Sequence, residues 1–169
     1  MGTDIKVNEA GKFVILPATA GDFPVLVEHH RRMFEEVLIS RKIDPDTLDA
    51  EELDRAYISK LKNELGTTCH LWVIRKGIRD VVASGGVSIV SMVPVPGDCS
   101  CSVAYIHSIF TETEFRNHGL AKQLMETIGR FCREKGIRRL ILNASDAGRP
   151  LYEKLGFEPA TNSMRMLIE

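Results

Sequence analysis

The segment with the clearest chemical potential is Arg116-Asn117-His118-Gly119-Leu120-Ala121-Lys122. It follows a predicted strand and opens a long predicted helix, and a helix N-terminus presents unpaired N–H groups with partial positive charge. Such a turn binds a pair of phosphates when its residues are small enough for the backbone to come close. Gly119 and Ala121 meet that condition, and Arg116 and Lys122 add positive charge. The segment therefore predicts a phosphate-binding turn, with an ordinary tight strand-to-helix turn as the alternative.

Two other phosphate-binding patterns are missing from the sequence. There is no G-x-x-x-x-G-K-[ST] run, which excludes a P-loop as a supported interpretation. There is also no G-x-G-x-x-G run opening a βαβ unit, so a Rossmann dinucleotide site has no support.

The elements that must position the turn follow from the spacing of apolar residues. Apolar residues at helical spacing predict helices, and short apolar or alternating runs predict strands. The predicted helices cover about 22–37, 50–65, 119–135 and 149–155, and the predicted strands cover 13–16, 70–75, 81–90, 101–110, 139–144 and 164–168. Residues 1–11 are expected to form a frayed or edge segment, 76–80 a hairpin turn and 92–98 a loop. The pair Gly85-Gly86 inside a strand predicts a bulge or a close backbone approach.

Length and charge bound the class of protein. The chain has 169 residues, a formal charge of −1, 44% hydrophobic and 27% charged residues, which is typical of a soluble domain. One α/β domain over 1–169 is therefore expected. The near-zero charge argues against bulk nucleic-acid binding, and no apolar run reaches the roughly 18–20 residues of a membrane span. The N-terminus lacks the apolar centre of a signal peptide, so we expect a cytoplasmic protein with no nucleic-acid or membrane partner.

Two further site classes fit the sequence poorly. The four cysteines, Cys69, Cys99, Cys101 and Cys132, include one C-x-C pair without a second pair or closely spaced histidines, so free thiols and no metal are expected. A helix-turn-helix nucleic-acid module over 20–66 is disfavoured by acidic stretches such as Asp49-Ala50-Glu51-Glu52.

Two motifs together resemble the GNAT superfamily of acetyl-CoA-dependent N-acetyltransferases. Arg116-x-x-Gly119-x-Ala121 matches the family's R/Q-x-x-G-x-G/A signature, and Leu151-Tyr152-Glu153-Lys154-Leu155-Gly156-Phe157 matches its second hallmark. A helix and a strand separate the two, as in the family. The resemblance spans roughly 13–169 and is strongest over about 104–157. It implies an α/β (α+β) fold with a mixed, mostly antiparallel central sheet and helices on both faces.

The resemblance also implies how the co-substrate acetyl-CoA is bound, without a metal. In the family the end of the fourth strand separates from its neighbour and offers backbone groups to the acetyl and pantetheine parts. The matching residues are Ile109, Phe110 and Thr111. The main-chain N–H groups from Asn117 to Lys122 would hold the pyrophosphate. An asparagine that often precedes the motif tyrosine is replaced by Ser145, which makes Asn143 a nearby substitute.

The implied reaction moves an acetyl group to a primary amine by direct attack in a ternary complex. By resemblance, Tyr152 faces the CoA sulfur and protonates the departing thiolate. The base that takes the amine's proton should titrate near neutrality, which makes His107 the first candidate. His107 also matches a catalytic histidine of arylalkylamine N-acetyltransferases. The tetrahedral oxyanion needs a donor, and a backbone N–H near Ile109 or Phe110 would supply it.

Several alternatives stay open at this stage. Strand alternation places His107 on the face of Tyr105 and Ile109, opposite Ile106, Ser108 and Phe110, where it could equally be a packed sheet residue. The other candidate bases are Glu112 and Glu114. The first helix, which in the family helps to cover the acceptor pocket, carries His29 and His30, each of them an acceptor contact or a packing residue. His118 is expected to contribute its main-chain N–H rather than its ring.

The acceptor itself has no signature in the sequence. A small-molecule amine and an amine of a protein are both compatible with it, and a homodimer is allowed. The alternative function is a non-catalytic acyl-CoA-binding regulatory module.

Overall fold

The computed structural model describes residues 13–77 and 80–160, together with Met164, Met166 and Ile168. Its strands are β1 (Phe13–Pro17), β2 (Cys69–Lys76), β3 (Asp80–Ser91), β4 (Ser102–Thr111) and β5 (Arg139–Leu142). Its α-helices are α1 (Phe23–Ser40), α2 (Ala50–Glu64), α3 (Leu120–Glu134) and α4 (Arg149–Lys154). Short 3₁₀ turns lie at Ala20–Asp22, Pro45–Thr47 and Thr113–Phe115.

The helix starts follow from local chemistry. α1 has Pro24 in its first turn, where a missing N–H costs nothing. Asp49 caps α2, because its carboxylate accepts a hydrogen bond from the Glu52 N–H at 2.9 Å. α3 instead begins after Gly119, which has a left-handed backbone (φ 74°) and provides no side-chain cap. The N-terminus of α3 is therefore left open to an outside partner.

The described strands form one sheet in the order β1-β2-β3-β4-β5. The first three pairings are antiparallel and the last, β4 with β5, is parallel. This confirms the prediction of a mixed, mostly antiparallel sheet. β5 ends at Leu142 rather than at residue 144, so Asn143 lies just beyond the strand.

Each face of the sheet carries its own apolar core, as expected for helices on both faces. On one face, Leu120, Leu124 and Ile128 of α3 pack with sheet residues such as Trp72 and Ile106. The other core joins α1 and α2 to Cys69, Leu71 and Val73 of β2, which alternate along the strand with residues of the first core. The helices contribute Leu26, Val27, Tyr57 and Leu61 to it. We call these the α3 face and the α1/α2 face.

A bulge in β4 changes the face of the sheet on which its side chains lie, compared with the predicted alternation. Ser84 of β3 pairs with Phe110, but Gly86 pairs with His107, so Ser108 and Ile109 together oppose Gly85. Ser108 takes a left-handed conformation with φ 56°, and an extra residue of this kind shifts the side chains that follow it to the opposite face.

The consequence of the bulge appears in the contacts of β4. His107 and Ser108 both contact Tyr57, and Phe110 contacts His29 of α1. Ile109 packs instead with the core of the α3 face. The prediction that His107 lies opposite Ser108 and Phe110, and beside Ile109, is therefore wrong.

The glycine pair of β3 confirms the predicted close approach. A Cβ on Gly86 would lie 2.6 Å from the carbonyl oxygen of His70, and one on Gly85 would collide with the side chain of Ile109. β3 can therefore pass between β2 and the bulged β4 only because it lacks side chains here.

Three predictions concern residues outside the described part. The frayed segment 1–11 and positions 78–79 of the hairpin lie outside it, and so do positions 165 and 167 of the strand predicted for 164–168. Of that last segment, Met164, Met166 and Ile168 are described, and none of them belongs to a strand. They are 98%, 80% and 87% exposed, so they do not pack against the sheet and the predicted strand is wrong at these positions. Within the described residues, none of the helices combines the length and the apolar character needed to cross a bilayer.

Candidate active site

The predicted phosphate turn lies at the N-terminus of α3, as its sequence indicated. Asn117 (φ 64°) and Gly119 (φ 74°) both have left-handed backbones, which bend the chain tightly before the helix starts. Within the described ranges, the six main-chain N–H groups from Asn117 to Lys122 donate to no acceptor. Leu120 is 1% exposed and anchors the helix start in the core, so these donors are held in place. Unpaired N–H groups at a rigid helix N-terminus fit a pyrophosphate.

The end of β4 supplies a second open row of backbone groups. β4 pairs with β5 only from Val103 to Ile106, the last pair being Ile106 with Leu142. The strand then continues through residues 107–111 without β5 beside it. Ile109, Phe110 and Thr111 therefore lie in the part of β4 that has separated from its neighbour, where an extended ligand can take the place of a strand.

Arg116 holds this end of β4 to α1. Its Nε donates to the carbonyl oxygen of Thr111 at 3.0 Å, and its Nη2 donates to Glu36 at 2.5 Å. Its guanidinium also lies 5.8 Å from the centre of the Phe110 ring. The charge of Arg116 is thus shared with a carboxylate. Lys122 lies 3.8 Å from Glu126, and His118 donates from Nδ1 to the Arg116 carbonyl at 2.9 Å.

The predicted acid and its neighbours lie around α4. The half-buried ring of Tyr152 packs with the α3-face core, and burial raises the pKa of its phenol. Its hydroxyl donates to no acceptor among the described residues. The hydroxyl of Ser145 already has a partner nearby in sequence, since its Oγ accepts a hydrogen bond from the Gly148 N–H at 3.2 Å. Asn143 donates from Nδ2 to the hydroxyl of Tyr105 at 3.0 Å. A phenol that stays protonated can donate to a leaving group.

His107 lies on the α1/α2 face with both ring nitrogens engaged. Nδ1 is 3.0 Å from Ser108 Oγ, and Nε2 is 3.0 Å from Ser88 Oγ and 3.8 Å from Cys69 Sγ. Burial, together with the smaller effect of the nearby His30, lowers the pKa of His107 to about 4. Both ring nitrogens of His107 therefore have partners within the protein, and the titration near neutrality expected for this residue is not what its environment produces.

The alternative base Glu112 is held in an ion pair. Arg32 binds its two carboxylate oxygens at 2.7 and 2.8 Å, and these hydrogen bonds hold the pKa of Glu112 below its usual range. His29 is 1% exposed and places Nε2 3.3 Å from the same carboxylate. Its Nδ1 lies 2.8 Å from Ser84 Oγ. Glu112 thus clamps α1 to the end of β4, whereas Glu114 is exposed.

The four cysteines are free thiols, with Cys69 and Cys132 buried and Cys99 and Cys101 exposed. Among the residues that the structure describes, no group of three or more His, Cys, Asp or Glu side chains is placed to hold a metal ion.

Comparison with protein families identifies the chain. The family model of the acetyltransferase (GNAT) domain matches residues 52–166, which make up more than half of this chain. The chain belongs to the GNAT acetyltransferase family.

This GNAT acetyltransferase also resembles individual proteins. A glucosamine 6-phosphate N-acetyltransferase of Trypanosoma brucei brucei is 34% identical over 65 residues, which cover 38% of this chain and 44% of that protein. The match thus spans less than half of the relative's length.

Solved structures share its fold. A GCN5-related N-acetyltransferase from Ralstonia eutropha has a TM-score of 0.80 at 23% identity, over 92% of this chain and 98% of that one. A predicted acetyltransferase from Clostridium acetobutylicum, solved with acetyl-CoA, has a TM-score of 0.76 at 24% identity, over 92% and 96%.

The turn of this acetyltransferase was predicted from its sequence, but the polar cluster around Ser108 beside β4 was not. Tyr57, Ser88 and Ser108 belong to no motif of the sequence. His30 was weighed as an acceptor contact, and the structure places it 2.8 Å from Ser108. No sequence signal marks a serine that will adopt a left-handed backbone, so the cluster depends on the tertiary structure.

Proposed function

We propose that this GNAT acetyltransferase moves the acetyl group of acetyl-CoA to a primary amine, by direct attack within a ternary complex. The observation that supports the proposal most directly is the joint opening at the end of β4. Unpaired main-chain N–H groups at 117–122 fit the pyrophosphate, and the strand segment 107–111 is free of β5. The turn and the open strand segment lie on one continuous stretch of chain, so they fit the pyrophosphate and the pantetheine arm of the same acetyl-CoA molecule.

The proposed roles follow from where each group lies. Arg116 and Lys122 supply positive charge beside the six N–H donors. The backbone of Ile109, Phe110 and Thr111 would bind the pantetheine and acetyl parts, and one N–H there would stabilise the oxyanion. Asn143 lies just past β5, on the other side of the opening, and Ser145 follows it.

Tyr152 is the proposed general acid. Burial keeps its phenol protonated, and its hydroxyl has no partner within the described residues, so it is available to protonate the thiolate as the C–S bond breaks. As with the other site residues, the role of Tyr152 is supported by its position in the second motif and by this environment.

The acceptor is proposed to be a small-molecule amine, and the similarity to a glucosamine 6-phosphate N-acetyltransferase supports amino sugar phosphates as the first class to examine. The test is an acceptor panel that follows release of free CoA. It should contain glucosamine 6-phosphate, an aminoglycoside, amino acids and a peptide with a free N-terminus and a lysine.

We expect release of CoA well above hydrolysis with one of these classes, and none with the Gly119→Glu variant. If acetyl-CoA binds and stabilises the protein but no amine is acetylated, the proposal is contradicted and a non-catalytic acyl-CoA-binding module is favoured.

A further inference from the structure

A buried serine connects two histidines on the α1/α2 face. The Oγ atom of Ser108 lies 2.8 Å from His30 Nδ1, 3.0 Å from His107 Nδ1 and 3.1 Å from the hydroxyl of Tyr57, which donates to it. Ser108 and Tyr57 are 4% and 5% exposed. We call His30, Tyr57, His107 and Ser108 the serine hub. It brings together α1, α2 and β4 at the bulge where β4 leaves β5.

The hydrogen-bonding capacity of one hydroxyl restricts the protonation of the two rings. A serine hydroxyl accepts two hydrogen bonds and donates one. Tyr57 uses one acceptor position, so Ser108 can accept from only one histidine and must donate to the other. The two rings therefore have opposite states at Nδ1: one carries the proton there and the other does not.

The Nε2 atoms of the two histidine rings have different surroundings. His107 Nε2 is enclosed by Ser88 and Cys69, at 3.0 and 3.8 Å. His30 Nε2 has no hydrogen-bond partner among the described residues, and the His30 ring is half-buried. That ring is stacked on Tyr57 at 3.8 Å between centroids and 9° between planes, with the edge of Phe34 at 5.0 Å. The hub is thus closed at His107 and open at His30.

We propose that His30 accepts, through Nε2, the proton that the acceptor's nitrogen loses, and that Ser108 and His107 are positioning residues that keep this nitrogen unprotonated. The inference rests on the proposed acetyl transfer and extends it. In this arrangement His30 Nδ1–H donates to Ser108, Ser108 donates to His107 Nδ1, and His107 Nε2–H donates to Ser88. The opposite arrangement would leave a proton on His30 Nε2.

The proton and electron balance of the step is complete. The lone pair of the acceptor's nitrogen forms the C–N bond to the acetyl carbonyl carbon, which makes its N–H groups much more acidic. One N–H bond then breaks, its electron pair stays on nitrogen and its proton passes to His30 Nε2. The C–S pair leaves with sulfur, which takes the phenol proton of Tyr152. Afterwards His30 releases its proton to water and Tyr152 regains one from water.

Burial, rather than nearby charge, keeps both rings neutral, and therefore able to accept a proton, in the resting protein. Burial lowers the pKa of His30, and that of His107, to about 4. Besides His30, the titratable groups that face His107 are Tyr57, Lys60 and Glu64 of α2 together with Cys69 of β2, and its ring stacks on Tyr105 of β4. Lys60 is paired with Glu64 at 2.5 Å, so little net charge remains there.

The first arm of the test needs no substrate. Nitrogen-15 NMR of the imidazole rings at pH 7 should show His30 protonated at Nδ1 and His107 protonated at Nε2. Ser108→Gly, which suits the left-handed backbone while removing the hydroxyl, should abolish this fixed difference. The proposal is overturned if His30 carries its proton on Nε2 in the parent, or if the Ser108→Gly spectrum matches that of the parent.

The second arm measures turnover with the amine found in the acceptor panel. We expect His30→Ala to lower kcat by about 100-fold or more with unchanged affinity for acetyl-CoA, and added imidazole to restore at least about 10-fold of it. His107→Asn and Ser108→Gly should each cost less than His30→Ala. The control Ser84→Ala removes a comparable buried bond, from Ser84 to His29, and should leave kcat near the parental value.

The outcomes of the two arms separate the inference from the proposed function. Loss of turnover in His107→Asn that exceeds the loss in His30→Ala, or parental turnover in His30→Ala, would make His30 a packing residue and overturn the proposal. A parent that acetylates no amine overturns the proposed function together with the role of His30, while the NMR arm still decides whether the serine hub exists.

Discussion

The two sides of β4 are built in opposite ways. On the α3 face the phosphate turn comes from seven consecutive residues, 116–122, and its chemistry belongs to the backbone. On the α1/α2 face the serine hub joins residues that are 51 and 78 positions apart in sequence, and its chemistry belongs to side chains. The turn is open to a ligand through unpaired donors, whereas almost every polar atom of the hub is already satisfied within the protein.

This difference separates what each side can do. Backbone donors at a helix start bind any suitably placed phosphate, because their geometry is fixed by the helix. A side-chain network of neutral histidines is sensitive to single protons, since one added proton changes which groups can donate. We therefore expect the turn to govern the affinity for acetyl-CoA and the hub to govern the pH dependence.

The largest effect is expected from Gly119→Glu. Its side chain would bring bulk and negative charge to the turn, so acetyl-CoA should no longer bind. At about 100 times Kd, acetyl-CoA should stabilise the parent by roughly 2.7 kcal/mol and raise its Tm, but leave the variant unchanged.

Gly136→Glu is the matched control for that measurement. Gly136 has φ 71° and open space around it at the other end of α3, so the backbone strain of the substitution is similar. This variant should keep the Tm increase. Equal stabilisation of Gly119→Glu and the parent would remove the turn from the acetyl-CoA site.

The next effect concerns Tyr152, the side chain on the α3 face that we propose as the general acid. Tyr152→Phe keeps the ring in the core and removes only the hydroxyl. If the phenol protonates the thiolate, kcat should fall by about 10²–10⁴-fold while acetyl-CoA affinity stays the same. An activated acetyl donor with a strongly acidic thiol should show a much smaller loss. Unchanged turnover with acetyl-CoA would assign Tyr152 a packing role.

The third effect is the pH dependence of the free energy of unfolding, to which the two histidines of the serine hub contribute. The pKa values of His30 and His107 fall from about 6.5 when unfolded to about 4 in the folded protein. Between these pH values the unfolded chain binds protons that the folded chain excludes, so the free energy of unfolding decreases as pH falls. The loss from pH 7 to 4.5 is about 2–3 kcal/mol for each histidine.

Urea unfolding at the two pH values measures that loss. His107→Asn should be less sensitive to acid than the parent by roughly the amount assigned to one histidine. An identical loss of stability in both proteins would show that His107 is not held neutral by its surroundings.

The smallest effect is expected where the two sides meet. Glu36 on α1 pairs with Arg116, and both side chains are partly exposed, at 45% and 40%. Glu36→Gln should release Arg116 toward the phosphates and lower the Kd for acetyl-CoA by a few-fold at most, since exposed pairs are weak. Titration calorimetry at low and high salt measures it. Glu35→Gln, next to it, is the control, and an equal change in both variants would mean that only overall charge matters.

Much of the fold was accessible from the sequence because it depends on local patterns. The predicted helices and the strands predicted between 13 and 144 agree with the structure to within a few positions, and Gly85-Gly86 correctly indicated a close backbone approach. The strand predicted for 164–168 is not present at its described residues. The single domain and the cytoplasmic location stay predictions. The face assignment around His107 failed because strand alternation holds only for a regular strand, and Ser108 inserts one additional residue.

The position and shape of the turn at 116–122 could be predicted from the sequence, because a left-handed Gly119 before an amphipathic helix requires only neighbouring residues. The position of Tyr152 could be predicted in the same way, because its motif at 151–157 covers most of the short helix α4. The opposite face of β4 could not be predicted in this way, because there Ser108 contacts Tyr57 of α2 and His30 of α1. Those contacts depend on how two helices pack over a bulged strand, and no pattern within a window of neighbouring residues records the distance between side chains that meet across the sheet.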